Sequence, residues 1–169
     1  MMVRVPDIPT EGLTLTDVAA LGAVYRDPTW RLTSVRLHLE RDGVDVFVTG
    51  DLRATVSQAC GRCLEPSTFE VTAALDVRLV PRPATGDSVE LAAHDLDVDF
   101  YHKDEVDVGV LIETETSLAL PMKPLCRDGC RGLCPVCGGN RNVVQCACPE
   151  RAPDPRLAPL KDLAARLPH

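Results

Sequence analysis

The chain has 169 residues, of which 45% are apolar and 4% aromatic, with a formal net charge of −7 at pH 7. That is enough for one packed core of Val, Leu and Ala plus a small appendage, and too few aromatics for the stacking platforms that hold single-stranded nucleic acid. The charge is divided: residues 1–120 hold 10 Lys or Arg against 21 Asp or Glu, whereas 121–169 hold 8 against 4, so an acidic body precedes a basic end and general nucleic-acid binding by the whole surface is excluded.

At the N-terminus Arg4, Asp7, Glu11 and Asp17 interrupt any apolar run, so neither a signal peptide nor a membrane span of ~20 residues is predicted and the expected location is the cytoplasm. Trp30 reads as a partly buried packing residue. Period-two patterning then begins. Leu32, Ser34 or Val35, Leu37 and Leu39 alternate over 31–39, and Val44, Val46 and Val48 alternate with Asp45 and Phe47, which predicts a half-buried sheet with a hairpin at Asp42-Gly43. From Gly50, Leu52, Ala54 and Val56 lead directly to Cys60 and Cys63. Phe69, Val71, Ala73, Leu75, Val77 and Leu79 return, so the first cysteine pair is expected at a β-hairpin tip.

Pro81, Pro83 and Gly86 end that strand. Between 87 and 115 lie Asp87, Glu90, Asp95, Asp97, Asp99, Asp104, Glu105, Asp107, Glu113 and Glu115 against Lys103, read as a solvated loop and helix face, or alternatively as an acidic surface for a basic protein. His94 and His102 read as surface residues. Asp107 is the expected N-cap of a helix near 108–120 whose apolar positions are Val108, Leu111, Ile112, Leu118 and Ala119, with Glu115 at the edge of that face and Pro121 as the stop. This helix should pack on the sheet and bring Cys126 to the hairpin tip. Near the end, DPRLAPLKDLAARL at 154–167 predicts a short helix with Leu157, Leu160, Leu163 and Leu167 on one side.

The eight cysteines carry the chemistry. Cys134-Pro-Val-Cys137-Gly138 has the Cys-x2-Cys spacing that lets two thiolates share a tetrahedral ion, with a glycine for the positive φ of such a turn, and Cys146 and Cys148 complete a four-thiolate set. Cys60, Cys63, Cys126 and Cys130 make a second set; grouping Cys60 and Cys63 with Cys134 and Cys137 is the alternative. Two structural zinc ions are expected, in preference to disulfides, which belong to oxidising compartments, or an iron-sulfur cluster. Cys130-x3-Cys134-x2-Cys137 also has the spacing of the radical enzymes that cleave S-adenosylmethionine. Those need a large αβ domain after the motif, and 32 residues follow Cys137 here. A zinc ion with four thiolates carries a formal charge of minus two. Arg62, Arg127, Arg131 and Arg141 stand beside the cysteines, either neutralising the sites and bonding to backbone carbonyls or, for Arg127, Arg131 and Arg141, meeting RNA phosphates or a partner. A phosphate loop, a nucleophile elbow and a His-containing metal motif are all absent from the sequence, and no small-molecule substrate suggests itself.

Four separated segments, CGRCLEP at 60–66, LALPMKPLC at 118–126, CRGLCPVCGGN at 130–140 and DPRLAPL at 154–160, resemble in order those of the YceD family of large-subunit ribosomal RNA accumulation proteins. The resemblance runs from about position 30 to the end. It implies a role in the accumulation or maturation of large-subunit rRNA, with a ribosomal precursor, rRNA or a ribosomal protein as partner and no established reaction. Arg141 departs from the leucine the family tends to have there, which implies a lost packing contact or a more exposed end. The expected architecture is α+β: an antiparallel β body with one helix over 1–125, and a Cys-rich zinc-binding appendage with a short terminal helix over 126–169. The expected function is that of a non-enzymatic ribosome biogenesis factor. A zinc-thiol redox switch or chaperone-like protein-binding module is the alternative.

Overall fold

A computed structural model describes residues 1–82 and 98–149 and, singly, Asp154, Arg156 and Leu160. Asp87, Glu90, His94, Asp95 and Asp97 lie outside the described residues, as does most of the helix expected over 154–167. The class is α+β. Strands β1 (Met2–Arg4), β2 (Leu13–Leu15), β3 (Arg31–Asp42), β4 (Asp45–Ala59), β5 (Pro66–Pro81), β6 (Val98–Tyr101) and β7 (Glu105–Asp107) accompany helices α1 (Val18–Leu21) and α2 (Val108–Leu118).

Five strands form one sheet in the order β2-β3-β4-β5-β6, antiparallel except for the parallel β5–β6 pair, and β1 pairs antiparallel with β7. The uncertain phase at Ser34 or Val35 has a structural cause. A bulge sets Thr33 out of register between the Leu32–Ala54 and Ser34–Arg53 pairs, and its hydroxyl donates to the Arg53 carbonyl at 3.0 Å. Beyond the bulge the inward positions become Val35, Leu37 and Leu39, all buried. The strands predicted over 44–48 and from Gly50 onward are one strand, β4. Its turn falls one residue later than the Asp42-Gly43 signal, at Gly43 and Val44, so Val44 is 62% exposed while Val46 and Val48 are fully buried.

Gly50 permits β4 to run unbroken opposite Leu37. Its φ is +145°, and a Cβ there would stand 2.0 Å from the Arg36 carbonyl oxygen, so no other residue fits without moving β3. The inward row Val46, Val48, Leu52, Ala54 and Val56 meets Val71, Ala73, Leu75 and Leu79 of β5, and α2 covers this face with Val108, Leu111 and Ile112. Burial of such aliphatic side chains, at about 1.5–3 kcal/mol each, is the principal source of the body's stability.

Asp107 caps α2 as its position predicts, its Oδ1 accepting from the amides of Gly109 at 3.0 Å and Val110 at 3.3 Å. The apolar face ends differently from the reading above. Leu118 is 74% exposed and Ala119 is exposed at the C-cap. The inward place near the end of α2 belongs to Thr116, whose hydroxyl donates to the Ile112 carbonyl at 2.7 Å and lies 2.9 Å from the Tyr25 hydroxyl. Tyr25 in turn meets Trp30 edge to face at 5.6 Å, and Trp30 is partly buried. The first thirty residues complete the core with Val3, Val5, Ile8 and Leu21. Among the described residues no helix is long and apolar enough to cross a membrane.

Candidate metal centre

The β4–β5 hairpin ends in a turn that carries Cys60 and Cys63. Cys60 N donates to the Glu65 carbonyl at 2.9 Å, and Leu64 N donates to the Cys60 carbonyl at 2.9 Å with Leu64 at φ +63°. Beyond α2 the chain passes this tip, where Gly61 N donates to the Pro124 carbonyl at 2.7 Å, and so brings Cys126 and Cys130 alongside. Cys134 to Gly139 repeat the same turn. Cys134 N donates to the Gly139 carbonyl at 2.8 Å, Gly138 N donates to the Cys134 carbonyl at 2.9 Å, and Gly138 has φ +72°, the conformation for which a glycine was expected there.

The sulfurs assemble into two sets. Those of Cys60, Cys63, Cys126 and Cys130 all lie within 4.8 Å of one another, and so do those of Cys134, Cys137, Cys146 and Cys148. Within the first set Cys60 Sγ is 3.8 Å from Cys130 Sγ and Cys63 Sγ is 3.7 Å from Cys126 Sγ. A tetrahedron with metal–sulfur bonds of about 2.3 Å has an edge of roughly 3.8 Å, so the spacing fits one ion at the centre. The donors are soft thiolates in sets of four, the chemistry that selects zinc or an iron-sulfur centre. Cys60, Cys63 and Cys130 are buried and Cys126 is exposed, whereas in the other set Cys134 is buried, Cys137 exposed, and Cys146 and Cys148 half-buried.

The turns prepare the sulfurs unequally. Backbone N–H groups of Cys63, then Cys126 and Arg62, hold the Cys60 thiol down at about 6, and those of Cys137 and Val136 do the same for Cys134, also at about 6. The Asn142 amide, first among several groups, lowers Cys130. Desolvation, followed by the neighbouring Cys130 and Cys63 thiols, pushes Cys126 up to about 12, and the hydrogen bond to Cys137, followed by desolvation, pushes Cys148 up to about 12. The sulfurs of each set therefore differ in how readily they ionise. Metal uptake at either releases protons and strengthens with pH.

Around the sulfurs, Arg62 Nη1 donates to the carbonyls of Asp128 at 3.3 Å and Cys130 at 3.0 Å. It locks Cys130 to the hairpin tip and places a positive charge beside the first set. Arg127 Nη2 donates to Asn142 Oδ1 at 3.0 Å. Arg131 is exposed, and so is Arg141, which lines a recess of about 320 Å³ with Cys134, Val136, Cys146 and Cys148. Asn140 and Asn142, which the sequence reading did not single out, join the two sets. Their signal was two carboxamides in the short loop between Cys137 and Cys146. His102 is exposed, away from both sets, as are Asp99 and Asp104; Asp107 and Glu113 serve α2 and Arg26 respectively.

A family model described as "Large ribosomal RNA subunit accumulation protein YceD" matches residues 48–164. A Mycobacterium tuberculosis protein described as uncharacterized is 34% identical over 108 residues, 63% of this chain and 50% of its own length. A similarly described Mycobacterium leprae protein is 32% identical over 130 residues, 76% of this chain and 58% of its own. The chain spans only about half the length of these relatives. No solved structure matches. The matched stretch, more than half of the chain, runs from β4 through both sulfur sets, and on that ground the chain belongs to the YceD family.

Proposed function

We propose that the protein is a non-enzymatic factor supporting the accumulation or maturation of large-subunit ribosomal RNA, with one structural zinc ion in each four-sulfur set. The observation that carries this reading is the completeness of both sets in a chain of this family. Four thiolates fill zinc's coordination shell and leave no open position at which a water could be activated, so a metal held there serves structure. In this reading the chain divides near position 125 into a sheet body, 1–125, and a Cys-rich part, 126–169, whose order between Cys126 and Cys148 depends on metal. Arg131 and Arg141 are the foremost candidates to meet rRNA phosphates or a ribosomal protein. Arg127 contributes less, since its guanidinium is engaged by Asn142. The test is metal content of the purified protein by elemental mass spectrometry alongside its sedimentation with ribosomal particles. Two zinc ions per chain and co-sedimentation with large-subunit precursors are expected; metal-free protein that ignores ribosomal particles overturns the reading.

One observation favours a second reading, a redox switch. The exposure of Cys137 and the partial exposure of Cys146 and Cys148 leave the second set open to oxidants. Mild peroxide that releases zinc and reversibly switches partner binding would rank this reading first.

A further inference from the structure

The two sulfur sets are joined by one side chain. Asn142 lies on the loop between Cys137 and Cys146, within the second set, yet its Nδ2 is 3.3 Å from Cys130 Sγ of the first. The orientation of the carboxamide follows from its partners. Its Oδ1 accepts from the Arg131 backbone amide at 2.9 Å and from Arg127 Nη2 at 3.0 Å, two groups that can only donate, so Nδ2 must face Asn140 Oδ1 at 2.8 Å and the sulfur. Every donor and acceptor site of this amide is thereby spoken for. Around it, Asn140 Nδ2 reaches Glu65 Oε1 of the first hairpin at 3.4 Å, Arg141 N donates to the Gly132 carbonyl at 2.9 Å, and Leu133 N donates to the Arg62 carbonyl at 3.1 Å.

We propose that Asn142 couples the two metal sites: the loop closed by metal at Cys134, Cys137, Cys146 and Cys148 holds its amide against Cys130 Sγ, so that filling the second set tightens the first. An N–H donated to a ligand thiolate lowers the charge on sulfur and fixes its direction, and partners of this outer kind change metal affinity by about 10- to 100-fold. Coupling of binding free energies is reciprocal, so metal in the first set tightens the second by the same factor. This inference rests on the two-zinc reading and adds to it that the ions bind cooperatively.

The experiment uses the full chain loaded with zinc and a chromogenic chelator as competitor, with ¹¹³Cd substitution to assign signals to each set by NMR. Asn142→Ala loses the whole junction. Asn142→Asp keeps an oxygen for Arg127 and Arg131, removes the donors to Cys130 Sγ and to Asn140 Oδ1, and puts a negative charge beside the sulfur. Both variants are expected to load two metals while the first set gives up its metal to the chelator at roughly one-tenth the wild-type concentration or less. Cys146→Ser, which opens the second set, should weaken the first set by the same factor, and adding Asn142→Ala to it should weaken it no further. If Asn142→Ala fails to fold, the Asp variant decides. Wild-type affinity at the first set in Asn142→Asp, or additive losses in the double variant, overturns the coupling. A wild-type protein without metal would overturn the zinc reading itself, an outcome distinct from either.

Discussion

The chain builds the same turn twice and supports it in two different ways. Cys60–Glu65 and Cys134–Gly139 share their hydrogen bonds, their positive φ after the second cysteine and a first thiol held at about 6. The first turn, however, is the tip of a hairpin whose strands pair over fourteen residue positions from Val46–Leu79 to Ala59–Pro66. The second has only loop on either side, attached to the isolated Leu133–Asn140 bridge and the two asparagines. A turn that inherits its geometry from a sheet persists without an ion. One that must be closed by its own ligands depends on the ion for its shape.

Cysteine substitution gives the largest break in this comparison. Cys134→Ser with Cys137→Ser should lose one metal and expose the segment from Arg131 to Cys148 to protease while the body stays resistant. Cys60→Ser with Cys63→Ser should lose a metal and also release residues 126–130 from the hairpin tip, leaving β4 and β5 paired. At stake is the folding energy of a structural zinc, about 10–16 kcal/mol in small metal-dependent peptides. Limited proteolysis read by mass spectrometry decides it: undiminished protection of 131–148 in the first variant removes the structural role of metal there.

Oxidation should separate the sets next. Peroxide is expected to release one zinc rapidly, with modification at Cys137, Cys146 and Cys148, and the second zinc more slowly, because three of the four sulfur residues of the first set are buried. Simultaneous loss of both ions would mean that exposure does not set the order.

Thiol titration of the metal-free, reduced protein sharpens the contrast. Cys60 should stay below its ordinary value, since the Cys63 and Arg62 amides sit on a turn that the sheet maintains even when the Cys126 amide is lost, whereas Cys134 should return toward 9 once its loop opens. A depressed folded value means that the folded form binds fewer protons than the unfolded form. The stability contributed by Cys60 is therefore complete above pH 9 and lost as pH falls through 6. A Cys60→Ser variant should remove that part of the pH dependence. If Cys134 keeps its low value without metal, the second turn is as self-supporting as the first.

What could be read from the sequence follows the same division. Strands β3 to β5 and helix α2 were visible because burial on one face writes a period into the side chains, and the set of Cys134, Cys137, Cys146 and Cys148 was visible because its ligand spacing is local. The pairing of Cys60 and Cys63 with Cys126 and Cys130 was only favoured, since contacts 63 and 70 positions apart depend on where α2 directs the chain. Strands β1, β2 and β7 are three residues each and β6 four, too short for a period to show, and the parallel β5–β6 pairing has no local signature. Thr116 was passed over in favour of Leu118 because hydropathy does not register that a hydroxyl bonded to Ile112 can be buried. Asn142 was missed because most of its partners, Arg127, Cys130 and Arg131, lie more than ten positions away in the chain, across the Cys134–Cys137 turn.

The smallest effect tests whether the two turns are truly the same. After the second cysteine, one has Leu64 at φ +63° and the other Gly138 at φ +72°. For a non-glycine residue this conformation costs about 1–2 kcal/mol, and a glycine there costs roughly 0.5–1 kcal/mol in unfolded-chain entropy. Leu64 is 63% exposed, so replacing it removes little packing, and a Cβ on Gly138 would meet nothing within 4 Å. Leu64→Gly should thus tighten metal at the first set, and Gly138→Ala should loosen it at the second, each by about 0.5–1 kcal/mol or roughly two- to fivefold in chelator competition. Equal and opposite shifts would show one backbone used twice. A loss in both variants would mean that Leu64 contributes a contact at the hairpin tip beyond its place in the turn, and the two turns would then differ in more than their support.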